Sequence, residues 1–165
     1  MGNTDKLYGR IKKHIPRSKD PVLVILKAHL LIEERLHGLI QNHLLHPEKL
    51  GDARLTFLQS LRLCQAMTHD PKLFLWRFVE RLNQVRNKLT HHLDIPDIEA
   101  MLDSLLKAWD DSEAVKPIGQ GERIRGLKNV IVMACGFLEG FRMEQKAVMD
   151  DLRQRRRRRS AGETP

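Results

Sequence analysis

The sequence is poor in several residue types that would define a protein class. It holds two cysteines in 165 residues, Cys64 and Cys135. They lie far apart and form no Cys-x-x-Cys, which argues against a disulfide framework and against a cysteine zinc site. Aromatic residues make up only 5%, with 10 glycines and 7 prolines. No alternating stretch of useful strand length occurs, and no internal repeat is found. Long apolar runs are missing too: Lys27, His29 and Glu33 interrupt the longest, so no segment is expected to span a bilayer. The first twenty residues lack an apolar stretch of signal-peptide length. Position 6 is Lys6 where a myristoylation signal takes Ser or Thr. The expected setting is cytoplasmic.

Signature motifs are equally scarce. There is no HExxH, no Gly-rich phosphate loop of either common type and no GxSxG elbow. The eight histidines do not form a ligand set. His37 and His43 are six apart and do not share a helix face. His91 and His92 are adjacent and point about 100° apart on a helix. Neither a metal nor a cofactor is expected.

What is present is apolar periodicity and positive charge. Hydrophobic residues make up 41%, enough for one core, and the length fits one domain. Lys and Arg number 29 against 21 Asp and Glu, a net charge of +8. Half of that excess lies in residues 151–165, where Arg153, Arg155, Arg156, Arg157, Arg158 and Arg159 face only Asp151 and Glu163. The run repels itself and offers nothing apolar to bury, so a disordered tail is expected over 153–165. It is either plainly solvated or drawn to phosphate backbones by counterion release. Residues 1–19 read as a basic segment, with Leu7, Tyr8, Ile11 and Ile15 able to form a short amphipathic helix. Residues 20–152 read as an all-α bundle of four to five helices.

Within that bundle, Asp20-Pro21 starts a long helix to about Leu45, apolar on more than one side. Glu33 and Glu34 in its middle are expected to be partly solvated or paired with Arg35 or another arginine. Further helices are expected from about Asp52 to Met67, from Asp70-Pro71 through Leu89, and over Asp97–Trp109. The last starts near Glu122 and ends near Gln154. Gly136 and Gly140, four apart on it, would let another helix approach closely.

One segment carries possible chemistry: Arg81-Leu82-Asn83-Gln84-Val85-Arg86-Asn87-Lys88-Leu89-Thr90-His91-His92. Val85 and Leu89 anchor it to the core, leaving Arg86, Asn87, Thr90 and His91 for solvent or a partner. An arginine fork fits a phosphate, and a histidine moves a proton near neutral pH. Together they suit phosphodiester cleavage with a ribose 2′-hydroxyl as nucleophile. Residue types alone leave a plain solvated basic face as an equally simple reading.

The string Arg86-Asn87-Lys88-Leu89-Thr90-His91, late in a bundle helix after an apolar anchor, resembles the RX4–6H motif of the HEPN superfamily. His92 gives the alternative five-residue spacing. The early helix around LLIEERLHGLI looks similar as well, so the resemblance covers roughly residues 20–150. It implies a four- to five-helix bundle and, in many members, a metal-independent endoribonuclease of toxin–antitoxin or antiviral defence systems. Such members commonly form homodimers whose two motifs face one cleft. By that resemblance Arg86 and His91 would be catalytic and Asn87 would shape the site. Lys88 and the tail arginines would contact RNA, and an antitoxin or regulatory protein would be a partner. One toxin branch has Tyr two places after the motif histidine; here that place is Leu93. Other members keep the fold as non-catalytic modules that bind RNA, nucleotide or protein. A basic helical DNA-binding regulator is a third reading, with a turn at Met67–Phe74, but the helix after it is too apolar for a major groove.

Overall fold

The computed structural model describes Gly9, Ile11, residues 13–50, 53–91, 97–110 and 119–160, with the side chains of Arg153 and residues 156–160 outside that set. The described residues contain helix and turn but no strand. The fold class agrees with the sequence reading: an all-α bundle.

Helix α1 spans Pro21–His43. It starts where Asp20-Pro21 directs it: Asp20 Oδ1 accepts the Val22 N–H at 2.9 Å and that of Leu23 at 3.4 Å, satisfying two of the donors a helix start leaves free. It ends before Leu44, and Pro47–Leu50 form a 3₁₀ turn. Helix α2 spans Phe57–Met67, five residues later than the expected start at Asp52, which itself lies outside the described residues. The reason is a capping box. Thr56 N–H donates to Gln59 Oε1 at 2.9 Å and Gln59 N–H to Thr56 Oγ1 at 3.3 Å, so Thr56 fixes the first turn.

Helix α3 spans Phe74–His91, also later than expected. Asp70-Pro71 builds a turn instead of a cap: Asp70 Oδ1 accepts the Lys72 N–H at 3.0 Å, and Trp76 Nε1 donates to the Asp70 carbonyl at 3.0 Å. Helix α4 spans Ile98–Trp109, with Asp97 as its cap. Helix α5 spans Gln120–Ser160. Its 41 residues make it about 62 Å long. The expected end near Gln154 is therefore corrected: the helix continues to Ser160, through the first part of the segment expected to be disordered over 153–165. Arginine is a good helix former, and Arg155 Nε pairs with Asp151 Oδ2 at 2.8 Å one turn back. Residues 161–165 lie outside the described residues.

Four helices form a ring in the order α1, α3, α4, α5, and α2 covers the outer seam between α1 and α3. Cross-links fix their directions. His29 meets Asn83, while Asn42 meets the carbonyl of Arg142, next to Phe141, which stacks on Trp76; α1 and α3 are antiparallel. Arg35 meets Glu139, and Lys128 meets Ser18; α1 and α5 are parallel. The start of α1, the end of α3 and the starts of α4 and α5 therefore gather at one end of the bundle.

The core contains Trp76, Phe78, Ile25, Ile32, Leu36, Leu82 and Leu105, none more than 1% exposed. Ile11, from the basic N-terminal segment, is buried in it as well. Helical backbone at Gly9, Ile11, Lys13 and His14 agrees with the short helix expected there; Leu7 and Tyr8 lie outside the described residues. Cys64 and Cys135 are free, buried thiols. Burial pushes both up to about 12, so neither is a nucleophile at neutral pH. Gly136 and Gly140 have no neighbouring helix packed on them among the described residues: both are exposed, and a Cβ on either would meet nothing within 4 Å. Among the described glycines Gly126 packs more closely, with Leu106 Cδ2 at 3.4 Å from its would-be Cβ. No helix among the described residues is long and apolar enough to cross a membrane.

Candidate functional site

Helix α3 is buried almost all round in its first half, where Leu75, Trp76, Phe78, Val79 and Leu82 are inaccessible. In its second half the inward side narrows to Val85 and Leu89, and a polar face opens. At about 100° per residue, Asn83, Arg86, Asn87 and Thr90 fall within about 100° of arc, with His91 at its margin. The sequence-derived candidates Arg86, Asn87, Lys88 and His91 thus share the last two turns of one helix. Arg86 and Asn87 are half-buried, and Lys88 and His91 are exposed. Arg86 Nη1 donates to Asn87 Oδ1 at 3.1 Å, so Asn87 orients the guanidinium. Thr90 Oγ1 donates back to the carbonyls of Arg86 and Asn87. His92 and Leu93 lie outside the described residues.

Two residues behind this face, His29 and Phe57, carry no functional mark in the sequence. His29 of α1 is 4% exposed. Its Nε2 lies 3.1 Å from Asn83 Oδ1, one turn before Asn87, and its ring stacks on Phe57 at 4.1 Å. An amide oxygen only accepts, so Nε2 carries the proton and Nδ1 is the acceptor. Burial lowers the His29 pKa below its ordinary 6.5; the Asn83 bond and the Glu33 charge oppose this, and the Arg86 charge adds to it. The Phe57 contact also places the N-terminus of α2, with its positive dipole end, beside the second half of α3. Three-dimensional packing creates this layer, since positions 29, 57 and 83 have no periodic relation.

His29 is neutral in the fold, while the unfolded chain protonates it below about pH 6.5. Its folded pKa is depressed, so its contribution is fully present above that value and is lost as pH falls toward the folded pKa. The urea midpoint is expected to drop between pH 7.5 and 5.5, and His29→Gln should flatten that change. A variant with the same pH dependence as wild type would remove His29 as the cause.

The structure does not bring the two basic features together. The α3 motif lies toward the end of the bundle where Lys128 meets Ser18. Arg155 lies 27 residues further along α5, about 40 Å away along its axis. Among the described residues no group of three His, Cys, Asp or Glu is placed to hold a metal ion. No family model matches the chain, and no similar curated protein or solved structure was found.

Proposed function

We propose that the chain is a metal-independent endoribonuclease of the HEPN type, acting in a toxin or phage-defence setting. The observation that supports this most is the position of Arg86-Asn87-Lys88-Leu89-Thr90-His91: the final two turns of a bundle helix, with Val85 and Leu89 inward and both functional groups outward. In the proposed reaction a histidine takes the proton of the ribose 2′-hydroxyl. The 2′-oxygen bonds to phosphorus, the bond to the 5′-oxygen breaks, and that oxygen is protonated as it leaves. Arg86, held by Asn87, stabilises the charge on the non-bridging oxygens. The products are a 2′,3′-cyclic phosphate and a 5′-hydroxyl. Incubation of the purified protein with RNA in EDTA tests this directly, with the cyclic phosphate end as readout. Binding without cleavage would favour the second reading, a HEPN-like module that binds RNA, nucleotide or a regulatory protein.

Arg86 and His91 are five residues apart, so they leave α3 about 140° apart and about 7.5 Å apart along its axis. A second copy related by a two-fold axis beside the motif would supply a facing pair and a positive groove. The protein is therefore expected to be a dimer by light scattering. Mixing Arg86→Ala with His91→Ala chains should restore part of the activity in the heterodimer. A monomer that cleaves RNA would remove the shared cleft and leave the Arg–His chemistry.

The arginine run lies far from the motif in the same chain, so it should contribute affinity and not choose the bond that is cut. Truncation after Leu152 removes six arginines, and each phosphate contact on single-stranded RNA contributes about 0.7 to the slope of log affinity against log salt. The slope is expected to fall by up to about 4 with cleavage positions unchanged. An unaltered slope would show that the run does not touch RNA.

A further inference from the structure

A second basic feature lies outside the motif and outside the arginine run. A groove of about 500 Å³ runs between the N-terminal segment and α5, with Lys13 and Arg17 on one side and Arg125 and Lys128 on the other. Its apolar lining includes Ile15 and Val132. The segment is held by its own packing: Ile11 is 1% exposed, Ile15 N–H donates to the Ile11 carbonyl at 3.0 Å, and Lys128 Nζ donates to the Ser18 carbonyl at 2.8 Å. Carboxylates nearby are mostly engaged elsewhere. Asp20 caps α1, and Asp103 and Glu99 pair with Arg123. Glu122 sits 3.5 Å from Arg125, an exposed pair that holds its partner weakly.

We infer that this groove between residues 13–17 and α5 binds a phosphate group, carried by a single strand of RNA or by a free nucleotide. Two arginines and two lysines line it; guanidinium matches phosphate oxygens in pairs and ammonium meets them as a point charge. The apolar lining takes a base or ribose, and the volume lies within the about 300–1,000 Å³ of small-ligand sites. The groove lies on the α5 side of α1, whereas the motif lies on the α3 side. His29 and Arg35, which point to those two neighbours, leave α1 about 120° apart. A strand crossing this end of the bundle would therefore meet the groove and the motif in turn. That arrangement rests on the ribonuclease reading; the groove itself does not.

The test uses the full chain with Lys13→Ala, Arg17→Ala and Arg125→Ala combined; Lys128 stays because it holds Ser18. Binding of a 2′-O-methyl RNA, which lacks the nucleophile, is measured across a salt series, and AMP binding is measured by calorimetry. Three lost phosphate contacts on a single strand should reduce the salt slope by about 2 and the affinity at 0.15 M salt by about fiftyfold. That result assigns the groove to a strand. Saturable AMP binding that the variant loses, with RNA affinity unchanged, assigns it to a free nucleotide. Unchanged affinity for both overturns the site, as does an equal loss for a poly-glutamate peptide. Because 2′-O-methyl RNA cannot be cut, the groove stands or falls independently of cleavage.

Discussion

Arg86→Ala and His91→Ala should each reduce RNA cleavage by at least about 10²-fold, the usual cost of removing a charge-stabilising group or a proton carrier. Both should leave the bundle intact. His91 is exposed at the last position of α3, and Arg86 makes its side-chain hydrogen bond to an adjacent residue of the same helix. Substitutions of this kind usually change stability by about 0.5 kcal/mol or less. The circular dichroism spectrum and thermal midpoint should therefore match wild type while activity disappears. Arg86→Lys keeps the charge and loses the planar fork, so partial activity is expected. His92→Ala is the control and should have the smaller effect; the reverse order moves the proton carrier to His92. Folded Arg86→Ala and His91→Ala variants that both cut RNA at the wild-type rate would refute the assignment.

Glu139→Ala should be the most damaging polar substitution in the bundle, costing about 3 kcal/mol. Glu139 is 5% exposed and Arg35 8%. Arg35 Nη1 pairs with Glu139 Oε2 at 3.2 Å, and Arg142 Nε reaches the same oxygen at 2.9 Å. Arg142 can turn to water, but Arg35, on the buried side of α1, cannot, and the variant strands its charge. For a chain of this size the loss corresponds to a fall of roughly 6–12 °C in thermal midpoint. Replacing both partners, Arg35→Met with Glu139→Leu, should recover most of it, because the unpaired charge is then gone. If Glu139→Ala alone melts within a degree of wild type, the pair does not hold α1 to α5. Burial alone would raise the Glu139 pKa; the Arg142 bond and charge, with Arg35 behind them, hold it below its ordinary value. With a depressed folded pKa, its stabilisation is complete above the unfolded value and is lost as pH falls below about 4.3. The double replacement should lack that acid-side loss.

Local signals were legible where one residue decides the outcome. Asp20 caps its helix as the Asp-Pro start predicts, the helix expected over Asp97–Trp109 forms one residue later with Asp97 as its cap, and Val85 and Leu89 turn inward as the periodicity of α3 requires. The misplaced starts have a common cause: Asp52 and Asp70 look like caps, but Thr56 has a glutamine three residues on, and Asp70 is taken up by a turn closed on Trp76. A capping box is readable in retrospect; a turn that depends on an indole is not. Arg35 shows the same limit. Glu33 and Glu34 are partly solvated, as expected, but the sequence carries no sign that Arg35 pairs with Glu139, more than a hundred positions away. His29 behind Asn83, and the groove beside Lys13 and Arg17, arise only when distant segments pack together. The end of α5 lies beyond Gln154 for a different reason: the repulsion within the arginine run is legible in the sequence, and the helix preference of arginine itself opposes it.

That helical arginine run responds to salt in two opposed ways. Arg155 and Arg159 are four apart, as Arg153 and Arg157 are, and like charges at this spacing weaken a helix by about 0.2–0.5 kcal/mol per pair. Added salt should screen that repulsion and firm the last turns of α5, and on the proposed function the same salt would remove the counterion-release drive toward RNA. If the run binds RNA as proposed, the end of α5 should be most loosely wound under the conditions where its attraction to a strand is greatest. A bound strand takes over the screening that salt would otherwise supply, so the segment should tighten its helix as it docks.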